Sequence, residues 1–107
     1  MESKKVRLVL TQAVSKVMLA DIRALVPPQA LNVFVNALDA HHYATLDCSQ
    51  SPDTCALLAS AIVVWRQLGH VHHIDYQKGD VVRDVSDATQ FQLFTLLKTH
   101  RAVLQLA

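Results

Sequence analysis

Tyr43–Gly69, YATLDCSQSPDTCALLASAIVVWRQLG, is the stretch on which the fold turns. Tyr43 to Cys48 is a short apolar run suited to a strand, and a polar turn follows it. Ser-Pro-Asp-Thr at 51–54 then opens a helix, with a hydroxyl residue ahead of a proline in the first turn. Across Pro52 to Leu68 the residues Leu57, Leu58, Ala61, Ile62, Trp65 and Leu68 recur at helical spacing, a stripe that buries against a sheet. Ser60, Arg66 and Gln67 take the opposite side, and Gly69 supplies the left-handed stop. A strand ending near Asp47, with Asp53 and Thr54 at the next helix's start, sets unpaired backbone N–H groups beside a hydroxyl and favours negative charge. Ser, Thr and Asp are also the commonest helix caps, so the junction equally reads as a plain helix start.

Toward the N-terminus, Val6 to Thr11 reads as a strand of β-branched and aliphatic residues. Ser15 to Val26 reads as a helix capped by Ser15, with Val17, Met18, Ile22, Leu25 and Val26 on its apolar side, and Pro27 ends it. Pro28 suits the first turn of another helix, and Ala30, Leu31, Phe34, Val35 and Leu38 supply a stripe for one that ends near 39–42.

Toward the C-terminus, Val71 to Gln77 alternates as a strand, and Lys78-Gly79-Asp80 turns it back so that Val81, Val82 and Val85 form a short edge strand. Ser86 or Asp87 then caps a last helix through about residue 101, with Phe91, Phe94, Leu97 and Leu104 on one side and Leu93 and Leu96 widening it. Its apolar character runs on to Val103, Leu104 and Leu106, a patch for a dimer or heteromeric contact. The order of elements implies an α/β domain with a small mixed sheet of about four strands and helices mainly on one face.

Composition bounds the class. A chain of 107 residues fits one domain, and 51% hydrophobic with 18% charged residues argues for a buried core over disorder. The formal charge of +1, from ten basic and nine acidic residues, gives no bulk attraction to nucleic acid or anionic lipid. The basic group Lys4, Lys5 and Arg7 reads as solvation of a terminus. No apolar run spans a membrane and no signal peptide is present, so a cytoplasmic protein is expected.

The run LDCSQSPDTCALLASAIVVWRQLGHVHHIDYQ, residues 46–77, resembles the central motif of STAS domains. That family is shared by anti-sigma factor antagonists, sulphate-transporter tails and the small subunit of bacterial lipid-trafficking ABC transporters. Leu46-Asp47-Cys48-Ser49 matches its strand end, Asp53-Thr54 its helix opening, and Leu57 to Gly69 its helix and stop. Cys55 stands where the family has Gly, and the segment between Ser49 and Asp53 is shorter than the family's. The resemblance implies a non-enzymatic bacterial regulatory module that binds a protein partner: an anti-sigma kinase, a chemosensory or signalling protein, or a transporter ATPase. It implies Thr54 as the phosphorylated hydroxyl and Asp47, Ser49, Asp53, Thr54, Cys55 and Leu58 as the partner surface. The alternative is a structural STAS-type subunit of an ABC lipid transporter, or an orphan α/β subunit, with no phosphoswitch.

No cofactor, metal or catalytic residue is expected. The HxHH run of His70, His72 and His73, with Asp75 near by and His41-His42 as a second pair, has the density to bind zinc, but His70 and His72 would face one side of a strand and His73 the other, so the trio cannot close on one ion without help from elsewhere. Cys48 and Cys55 form neither a CxxC pair nor a nucleophile signature and read as small apolar fillers.

Overall fold

The computed structural model describes residues 5–99 and 101–107; Lys4 of the basic group lies outside them. The chain runs β1 (Lys5–Leu10), α1 (Gln12–Leu25), a 3-10 turn (Pro28–Ala30), β2 (Leu31–Val35), β3 (Ala44–Ser49) and α2 (Pro52–Gln67). It continues through β4 (Ile74–Lys78), β5 (Val81–Asp84), α3 (Gln90–Leu97) and β6 (Val103–Leu106). The architecture is α/β, and the described strands form one mixed sheet in the order β2-β3-β1-β6-β4-β5, six strands where about four were expected. β1 and β6 are parallel, and the other neighbouring pairs are antiparallel.

Strand alternation assigns the two faces. Val6, Leu8, Leu10, Ala44, Leu46, Cys48, Ile74, Tyr76, Leu104 and Leu106 share one core with the buried residues of the helices. The residues between them, among them Arg7, Thr45, Asp47, Ser49, Asp75 and Gln77, point to the face that no described helix covers.

Two sequence expectations fail here, for the same reason. Leu31–Val35 is a strand paired with β3, Leu31 opposite Cys48 and Val35 opposite Ala44, where a helix was expected. Five consecutive residues, four of them apolar, satisfy a helical stripe and a strand equally, and the sheet edge offered by β3 decides between them. Val103–Leu106 was read as the tail of the last helix but is the strand beside β1, with Leu104 and Leu106 buried. The proposed apolar patch there is therefore core, and the long last helix is replaced by α3 and a turn in which Arg101 takes a positive φ of 59°. Residue 100, inside that expected helix, lies outside the described residues.

The caps also differ from expectation. Thr11 caps α1 by accepting from the Val14 N–H, while Ser15 is buried and donates to the Gln12 carbonyl. Thr89, and neither Ser86 nor Asp87, caps α3, in a reciprocal pair with Gln92. Leu25 and Val17 lie at the exposed margin of α1, whose buried line is Val14, Ser15, Met18 and Ile22.

Candidate functional site

The β3–α2 junction is built as a capped helix start. Ser51 is the N-cap: its hydroxyl accepts from the Thr54 N–H at 3.2 Å and donates to the Thr54 Oγ1 at 2.9 Å. Pro52 occupies the first turn, where its missing N–H leaves nothing unpaired, and Asp53 lies exposed against the positive end of the helix. The Gln50 side-chain amide donates to the carbonyls of Leu97 and Thr99, both at 2.8 Å, which ties the loop to the end of α3.

The structure divides the expected partner surface among three environments. Asp53 is at the surface and Ser49 is half-buried on the uncovered sheet face. Asp47 shares that sheet face, away from the helix start: Arg7, directly opposite on β1, donates to it through Nε at 2.9 Å and Nη2 at 3.4 Å. That pair raises the Arg7 guanidinium above its ordinary value, chiefly through the hydrogen bond to Asp47. Cys55 and Leu58 are fully buried and cannot meet a partner, because they face the sheet one turn apart. Thr54, the expected phosphoacceptor, retains 6% of its surface, with its hydroxyl engaged by Ser51.

Neither cysteine is poised for chemistry. Burial, with lesser contributions from Asp47 and Cys55, pushes the Cys48 thiol up to about 12, and burial raises Cys55 as well. Both remain protonated near neutral pH.

The register of α2 differs from expectation by a fraction of a turn. Its buried line is Thr54, Cys55, Leu58, Ala59, Ile62 and Trp65, with the Trp65 indole donating to Asp21 on α1 at 2.9 Å. Leu57 and Leu68, expected in the core, are 43% and 64% exposed, and Val64 between them is 47% exposed. α2 packs against both α1 and α3, so it is the middle helix of the layer. Its outward strip of Asp53, Ala56, Leu57, Ser60, Val64, Gln67 and Leu68 carries a single charge.

Two further features were missed or only partly read in the sequence. A cavity of about 650 Å³ lies between β5, the 85–88 turn and α3, lined by Val85, Ala88, Phe91 and Leu96 together with Arg83 and Asp84. The largely exposed Phe91, which was placed in an apolar stripe, was its only signal. His73 lies against Asp75 and Asp84, without His70 or His72, while His42 pairs with Asp39. No described helix is long and apolar enough to cross a membrane. Comparisons with protein-family models, with curated proteins and with solved structures find no match for this chain.

Proposed function

We propose that this chain is a non-enzymatic protein-interaction module that meets its partner through the outward strip of α2 and the helix start that leads into it. The observation that carries the reading is the line of Leu57, Val64 and Leu68 on solvent-facing turns of a helix whose other side already fills the core. A helix apolar on both sides normally has neighbours on both sides, and among the described residues only one side is occupied. Asp53 at the head of the strip adds a charge for orientation. This is the element through which the STAS-like run 46–77 implies partner binding, and the partner classes that run suggests are a kinase-like regulator, a signalling protein or a transporter ATPase.

Burial of Thr54 favours the form of this reading that lacks a phosphoswitch. Adding about two negative charges to Thr54 would require the first turn of α2 to open and Ser51 to release its hydrogen bond. A Leu57→Asp/Val64→Asp variant tests the surface by affinity capture from the native host beside the unaltered chain. Loss of the captured partner with an unchanged melting temperature supports the reading, and equal capture by both chains overturns it. Size-exclusion chromatography of the same pair shows whether the partner is a second copy.

A further inference from the structure

Asp75 and Asp84 stand directly opposite each other on the β4–β5 hairpin. Both point to the uncovered face of the sheet, where like charges at this spacing repel and weaken the pairing. Among the described residues, neither carboxylate forms an ion pair with a lysine or arginine. The hairpin's own Arg83 is turned to the other face, its guanidinium 5.3 Å from the centre of the Tyr76 ring. What lies between the two carboxylates is an imidazole: His73 Nε2 is 2.9 Å from Asp75 Oδ1, and Nδ1 is 3.6 Å from Asp84 Oδ2.

We propose that His73, Asp75 and Asp84 form a three-ligand site for a first-row divalent cation. One ligand atom from each residue lies within 4.8 Å of the others. Ligands around a tetrahedral zinc ion at about 2.0–2.2 Å are about 3.4 Å apart, so side-chain rotation of about an ångström closes the set. Two carboxylates balance the charge of a divalent ion, and the imidazole selects zinc or its neighbours over magnesium or calcium.

A surrounding shell is already in place, and it converges on Ser86. Its backbone N–H donates to Asp84 Oδ1 at 2.8 Å, which leaves Oδ2 turned toward the imidazole. Its Oγ is 3.5 Å from His73 Nδ1 and accepts from the Ile74 N–H at 2.9 Å. A ligating histidine characteristically uses its second nitrogen in such a bond, so with Nδ1 held by Ser86 the ligating atom is Nε2, and Asp84 Oδ2 swings from the Nδ1 side of the ring to join Asp75 there. β5 is the edge strand, so the remaining coordination positions open to water or to a partner's side chain.

Titration of the metal-free full chain with zinc chloride, followed by calorimetry and by thermal melting, tests the site. One equivalent binds saturably and raises the melting temperature; His73→Ala and Asp84→Asn each weaken binding at least tenfold, and a His70→Ala/His72→Ala variant binds as the unaltered chain does. Asp84→Asn keeps the Oδ1 that accepts from the Ser86 N–H, so its metal-free melting temperature stays close to that of the unaltered chain and misfolding does not explain its loss of zinc. The proposal is overturned by the absence of saturable binding, by binding that survives both His73→Ala and Asp84→Asn, or by binding that disappears with His70 and His72.

Discussion

Thr54 shows how far a residue's chemistry depends on one neighbour. As the third residue of α2 it offers a hydroxyl beside a helix N-terminus, yet Ser51 already bonds both its N–H and its Oγ1. Thr54→Glu therefore lowers stability by about 1–3 kcal/mol through an unsatisfied buried charge. Thr54→Ser stays close to the unaltered chain, and Ser51→Ala costs about 1 kcal/mol as a lost cap; urea unfolding of the three variants reads all these differences. The Cys48 thiol, pushed up to about 12, predicts that the folded chain resists maleimide at neutral pH and reacts only after unfolding, as mass spectrometry of the adducts would show. Asp39 titrates in the opposite direction. Its carboxylate accepts from the His42 and His41 N–H groups, and these bonds, the one from His42 foremost, hold it below its ordinary value. A depressed folded value stabilises the 36–43 turn above the unfolded carboxylate value, and that contribution disappears as pH falls through the folded one. Amide shifts of His41 and His42 followed over about pH 2–6 place the transition below the usual aspartate range.

At the scale of elements, what was legible followed from unambiguous periodicity and turn chemistry. β1, β3, α2 and the β4–β5 hairpin were readable because alternation, Ser-Pro at 51–52 and Gly79 each point to one structure. β2 and β6 were not, since LNVFV and VLQL are too short to separate the two periods, and the turn before β6 uses Arg101 at positive φ where glycine would have signalled it. α2 was correctly placed but rotated. Leu57 and Leu58 are equally apolar, and only the neighbouring helices decide which turns inward. The rotation has a measurable signature: Ile62→Ala costs about 2–5 kcal/mol as a core deletion, and Val64→Ala stays within about 0.5 kcal/mol, by chemical denaturation. The candidate surface was legible as an element and illegible as a residue list, because burial within a helix's first turn depends on the sheet beneath it.

For the whole molecule, the order of the sheet matters most. The C-terminal strand β6 lies between β1 and β4 and joins the two antiparallel halves of the sheet, so the last residues of this chain complete the core. Leu104→Ala is expected to cost about 2–5 kcal/mol, as large a loss as any core leucine. With the described helices packed on one face, the molecule has two exposed sides of different character: a sheet face carrying the Arg7–Asp47 pair and the His73 cluster, and a helical side with the apolar strip of α2. The central claim is that the second of these receives the partner. A photo-crosslinking amino acid placed at Leu57 or Val64, with Asn32 on the sheet face as the control position, tests it in the native host. Adducts of one common mass from positions 57 and 64, and none from 32, are the predicted result; absence of adducts from 57 and 64, or the same adduct from 32, would contradict it.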